Sequence, residues 1–133
     1  MKDALSYWSP LCQLVMKLRC WVRMAWRDGA SVQEGAWGQL LTIPVDGYLE
    51  VSSGPVPFRD VEWVEVSMSR IRGGMAGRPL QMIDVKEEVL AGVRGMQLSW
   101  ELCDSTWSRE GVFEDEPVQV IRIANPLGLM AKP

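Results

Sequence analysis

Early in the chain, apolar residues recur three and four positions apart. Leu11, Leu14, Val15 and Leu18 fall on one helical face. Ser9 can act as N-cap ahead of Pro10, whose missing N–H costs nothing at the first helical position. The pattern predicts a helix beginning there, with residues 2–8 either extending it or forming a separate turn. The period then drops to two. Cys20, Val22, Met24 and Trp26 point one way, and Arg19, Trp21, Arg23, Ala25 and Arg27 the other. This is a strand with a core face and a face crossed by arginines, ended by the turn signal Asp28-Gly29.

Further strands are predicted at 39–43 and 48–52, joined as a hairpin through Pro44-Val45-Asp46-Gly47, with a Ser/Gly/Pro-rich loop at 52–57. Residues 61–67 carry apolar side chains on both faces, which suggests a central strand. A loop is expected over 70–79, where Gly73, Gly74 and Gly77 lie among Arg70, Arg72 and Arg78. Asp84 and Glu87 have capping-box spacing, so a second helix should start there, turn Val85, Val89, Leu90 and Val93 inward, and stop near Gly95. Two strands close the chain, one around Leu98, Trp100 and Leu102 and one around Val118 to Ile123, with the polar, acidic stretch 104–117 between them as a loop or frayed hairpin. The order α-β-β-β-β-α-β-β implies an α+β fold with a single antiparallel or mixed sheet and helices on one face. All 133 residues fit one domain, with 126–133 as a tail that either docks Leu127, Leu129 and Met130 or stays loose.

Composition adds limits on function. Hydrophobic residues at 47% and charged residues at 23% belong to a chain that folds. The net charge of −3 is uneven: residues 1–78 hold nine Lys/Arg and eight Asp/Glu, net +1, whereas 79–133 hold five and nine, net −4. An acidic half disfavours nucleic acid and suits a basic protein partner. Three cysteines, Cys12, Cys20 and Cys103, follow no disulfide, metal or redox spacing and read as small core residues. No basic-then-apolar leader and no membrane-length apolar stretch is evident, so a cytoplasmic protein with no membrane contact is expected.

The chain has no histidine. That removes Ser-His-Asp and Cys-His nucleophiles, His-based metal sites and the commonest neutral-pH base. No Gly-rich phosphate loop of the nucleotide-binding types appears. No cofactor and no metal are expected, and an enzyme is not; catalysis by carboxylates, Lys, Cys or Tyr stays open without a positive signal.

Three stretches are candidate sites. The first is the partner-binding candidate: Glu110, Glu114, Asp115 and Glu116, with Trp107 and Phe113 close by. Clustered carboxylates can steer a basic partner and large rings can anchor it, although a charge run also reads as a solvated loop. The second is the Arg/Gly stretch from Arg70 to Arg78, which either holds an anion or is a solvated connection. The third is the face bearing Arg19, Arg23 and Arg27 around Trp21, a binding surface or an ordinary outer face with arginine stems over the indole.

The octet Arg59-Asp60-Val61-Glu62-Trp63-Val64-Glu65-Val66 is similar to a strand signature of small uncharacterised bacterial α+β proteins. In those a Trp- and Leu-bearing helix and an Arg-rich strand come first, and a helix and an Ile-Arg-Ile-like strand follow; the counterparts here are Trp8 with Leu11, residues 19–27, 84–94 and Ile121-Arg122-Ile123. As a small, acidic, motif-free chain it also resembles toxin-immunity proteins. That resemblance implies a protein-binding module that neutralises a cognate bacterial toxin. A secretion chaperone that holds a segment of an effector is the alternative. Neither identifies the partner or the oligomeric state.

Overall fold

The first helix, α1 (Ala4–Leu18), reaches well upstream of the cap signal at Ser9 and carries Pro10 in its interior. The computed structural model of the chain describes residues 4–72, 76–79, 81–109 and 113–126. An interior proline removes a backbone hydrogen bond and crowds the preceding turn, at a cost of about 3 kcal/mol. Tyr7 and Trp8, which lie in that earlier turn, are buried with Leu11, Cys12 and Val15. Sinking two large aromatics offsets a penalty of that size. The helix ends where Arg19 takes a left-handed φ of 57°. The Cys20 N–H then reaches back to the Val15 carbonyl at 3.2 Å, the bond of a Schellman ending.

The main sheet has five antiparallel strands: β1 (Val22–Asp28), β2 (Ser31–Glu34), β6 (Val61–Ser67), β9 (Trp100–Arg109) and β10 (Phe113–Ala124), in the order β2-β1-β6-β10-β9. The strand predicted as central, β6, is its middle member. A second sheet joins β3 (Leu41–Thr42), β4 (Tyr48–Val51) and β5 (Gly54–Pro57). A third pairs β7 (Ser69–Arg72) with β8 (Gln81–Asp84). Helix α2 (Lys86–Arg94) follows, capped by backbone at Gly95. The Asp84–Glu87 capping box does not form as expected: Asp84 accepts the Lys86 N–H at 2.8 Å, but the residue at the cap is Val85, with no side-chain cap bond.

Register assigns the faces. Val22↔Val66, Met24↔Val64, Ile121↔Val66 and Ile123↔Val64 are partners across β1, β6 and β10, and all six side chains are buried on one side. Leu11 and Val15 of α1, Val89 and Val93 of α2, and Leu41, Leu49, Val51 and Val56 of the small sheet complete the same core. Both helices therefore lie on one face of an antiparallel sheet, and the α+β class and element order expected from sequence hold. At their crossing, a Cβ on Gly92 would stand 2.6 Å from Leu14 Cδ2, so the half-buried Leu14 side chain rests on the bare glycine and would have to shift for any larger residue.

Three segments differ from expectation. Residues 52–57, expected as a loop, contain β5; Ser52 and Ser53 make the turn back from β4, and Gly54 takes φ 118°. Within 70–79, Arg70 and Arg72 belong to β7. Strand β2 carries four exposed residues and, among the described residues, pairs with β1 alone.

Candidate functional site

The face of the sheet away from the helices carries Arg23 on β1, Trp63 and Glu65 on β6, Arg122 on β10 and Ser105 on β9. At its middle, Glu65 is 0% exposed. A buried carboxylate loses hydration worth several kcal/mol and persists only when its lone pairs are filled. Four donors fill them. Arg23 Nε donates to Oε1 at 2.6 Å and Ser105 Oγ to the same oxygen at 3.2 Å. Arg122 Nε and Nη2 donate to Oε2 at 2.9 and 2.6 Å. The register explains the convergence, because Arg23 and Arg122 both stand directly opposite Glu65 on its two neighbouring strands. Partial burial pulls the Arg122 guanidinium pKa down, but the hydrogen bond and charge of Glu65 outweigh it and hold the pKa above the ordinary value. Arg23 extends the network through Nη1 to Glu34 at 3.2 Å and Nη2 to Ser105 at 3.4 Å.

The half-buried indole of Trp63 lies against this network. The Arg122 guanidinium carbon sits 4.4 Å from its ring centre and that of Arg23 5.3 Å. Towards one end of the face, Trp107 packs on Trp21 and Trp37, with ring centres 5.6 and 6.0 Å away. Pro117, opposite Thr106, brings no N–H to the ladder, and the Thr106 carbonyl accepts the Trp37 indole N–H at 3.1 Å. Towards the other end, Trp63, Ser99, Trp100, Glu101 and Arg122 line an open depression of about 400 Å³. A smaller hollow of about 260 Å³ lies beside the start of α2, where Lys86 Nζ donates to Gln119 at 2.9 Å.

The residues predicted from sequence scatter around this site. Trp107 is fully buried in the aromatic cluster, so it anchors the β9–β10 hairpin and is not presented to a partner. Glu116 is exposed on β10 across from it. Glu110 and the side chains of Phe113, Glu114 and Asp115 lie outside the described residues, as do residues 127–133. Of the Arg/Gly stretch, Arg70 is half-buried on β7 and Arg78 is exposed; Gly73, Gly74 and the Arg72 side chain lie outside the described residues. Of the arginine face, Arg23 enters the network, Arg27 pairs with Glu62, and Arg19 is exposed at the helix end. Arg23 covers Trp37 and Trp63, where Trp21 was expected beneath it.

Sequence reasoning missed Glu65, Arg122, Trp63, Trp100 and Glu101. A signal existed for the first two: a glutamate midway along a strand apolar on both faces must be neutralised, and two arginines stand mid-strand nearby.

Chemically the face offers held aromatic and guanidinium groups. Burial raises the thiols of Cys12 and Cys20 to about 12. The Cys103 thiol is raised as well, by burial and then by the charge and hydrogen bond of Glu101. Among the described residues no group of three or more Cys, Asp or Glu side chains could hold a metal ion. No helix of the described residues is long and apolar enough to cross a membrane. No protein-family model, curated protein or solved structure matches the chain.

Proposed function

We propose that this chain is a protein-binding module, an immunity protein that binds and neutralises a cognate bacterial toxin in the cytoplasm, and that its contact surface is the helix-free face around Trp63 and Arg122. One observation carries the reading: Trp63 is held against two guanidiniums that are themselves locked onto a buried glutamate. Trp and Arg dominate binding hot spots, and side chains already fixed in place lose little entropy on docking. The acidity of the carboxy-terminal half adds steering toward a basic partner.

The test is co-expression with the toxin-domain product of a neighbouring gene. Growth should be restored, and the purified proteins should form a one-to-one complex. Trp63→Ala should weaken that complex by about 2 kcal/mol, the scale of a hot spot, with the circular dichroism spectrum unchanged. A neighbour that is neither toxic nor bound ends the immunity reading; an unaltered affinity of the Trp63 variant removes this face as the contact.

A further inference from the structure

The depression beside Trp63 is chemically matched to a cation. Trp63, Glu62, Ser99, Glu101 and Arg122 line it, while Trp100, opposite the core residue Ile123, turns its indole to the other side of β9. Most of the charges around it are already matched. Arg122 is committed to Glu65, Arg23 to Glu65 and Glu34, and Arg27 to Glu62. Glu101 is exposed, stands opposite Arg122 across the ladder and is hydrogen-bonded by Cys103, but forms no salt bridge among the described residues. The carboxylates of Glu34, Glu62, Glu65 and Glu101 thus outnumber the guanidiniums of Arg23, Arg27 and Arg122 by one beside the Trp63 ring, a setting that can receive a further ammonium or guanidinium group.

The depression opens where β9 begins, and β9 is an outer strand of the sheet, paired only with β10 among the described residues. Glu101, Leu102, Asp104 and Thr106 are exposed along it, and the Trp37 indole touches the stretch at its far end, on the Thr106 carbonyl. Natural edge strands are usually guarded by lysine, proline, a bulge or a covering loop. Residues 100–107 contain no lysine, arginine or proline, and the register shift of the hairpin falls beyond them, between Phe113 and Glu116. Their only charges are Glu101 and Asp104. A second copy of the same edge would bring further carboxylates to it, whereas a basic segment complements them.

We propose that β9 is a docking edge for an extended basic segment of the partner protein, which adds as a strand along residues 100–107 and seats one arginine or lysine side chain in the depression, against Glu101 and the indole of Trp63. Main-chain bonds to the open edge supply affinity, and the depression selects the cation. This rests on the protein-binding reading given above and names the chemistry of the partner.

The full chain, labelled with nitrogen-15, is titrated with a short synthetic peptide of alternating Arg and Thr and with its Glu-Thr counterpart. The basic peptide should shift the backbone amides of 100–107 and the indole signal of Trp63. The acidic one should not. Glu101→Gln, at an exposed position, should weaken the basic peptide by about fivefold, the loss of one surface ion pair. No response at millimolar peptide, an equal response to the acidic peptide, or shifts confined to other elements would overturn the proposal. So would concentration-dependent broadening of the β9 amides without peptide, which marks a second copy as the occupant. A chain that binds its toxin with β9 unperturbed loses this inference alone; one that takes the basic peptide on β9 but rescues no toxin-exposed cell loses the immunity reading alone.

Discussion

Arg122 grips Glu65 with two nitrogens, Nε at 2.9 Å and Nη2 at 2.6 Å, across adjacent strands in register. Removing one member of a buried ion network is costly because the rest stay desolvated and unmatched. Glu65→Gln should therefore lower unfolding free energy by about 3 kcal/mol, the low end for such networks, since the Arg122 side chain is 36% exposed and partly hydrated. Replacing Arg23, Glu65 and Arg122 together by Met, Leu and Met should leave stability within about 1 kcal/mol of the parent. Urea titrations read both. If the single change proves harmless, the network is not what balances the buried carboxylate.

The Tyr7 hydroxyl joins α1 to the depression end of the sheet: it donates to the Ala124 carbonyl at 2.7 Å and accepts the Ser99 N–H at 2.9 Å. Burial raises its pKa, and the bond from Ser99 tempers the rise. Tyr7→Phe leaves a part-buried carbonyl and a part-buried amide short of a partner and should cost about 2 kcal/mol in thermal or chemical unfolding. The Ser99 amide should also exchange faster with solvent; protection equal to the parent would contradict the bond.

Alanine at Gly92 tests helix packing through a change of sign. Its Cβ would meet Leu14 Cδ2 at 2.6 Å and Cδ1 at 2.8 Å. Alanine favours a helix over glycine by about 1 kcal/mol, but the clash should more than cancel that gain, for a net loss of about 1 kcal/mol. In a Leu14→Ala background the same change should stabilise by about 1 kcal/mol. A Gly92→Ala protein more stable than the parent with Leu14 present would show that the two helices have room to spare.

The cysteines make stability fall at alkaline pH. Folding lifts Cys12 and Cys20 from 9.0 to about 12. Between those values the unfolded chain gives up thiol protons that the folded chain retains, so alkali favours unfolding. Their contribution is complete below about pH 9 and declines as pH rises toward 12, by up to about 1.4 kcal/mol per thiol per pH unit. Urea midpoints followed upward from pH 8 should drop more steeply for the parent than for the Cys12→Ala, Cys20→Ala variant. Under native conditions an alkylating reagent should modify Cys103 first, because it is only half-buried. Equal labelling of all three thiols would contradict the burial of the other two.

The sequence was readable wherever a periodic apolar signal coincided with burial. The two-residue alternation of β1 separates Val22 and Met24 from Arg23, and the residues of β6 announce its central place. The inward face of α2 matches its 3.6-residue pattern. Other elements carry no such pattern. Strand β2 is exposed throughout, so nothing in its composition registers pairing. Strand β5 holds Pro55 and Pro57, which argue for a loop until β4 is seen beside it. The early start of α1 depends on where Tyr7 and Trp8 are buried, and that is tertiary information overriding the local cost of Pro10. The site was obscured for a related reason. Glu65, Arg23 and Arg122 are far apart in sequence, and only strand register makes them one cluster.

That cluster has a consequence for how the chain finds its alignment. Sliding β10 one residue along β6 would swing every side chain of β10 to the opposite side of the sheet. Arg122 would be driven in among the aliphatic contacts of the helices, and Glu65 would be stripped of half its donors. Among apolar strands alone, such a slip exchanges one greasy neighbour for another. Here the error strands an ionised group in each of two places, so the three charges act as a key that admits a single threading of β1, β6 and β10.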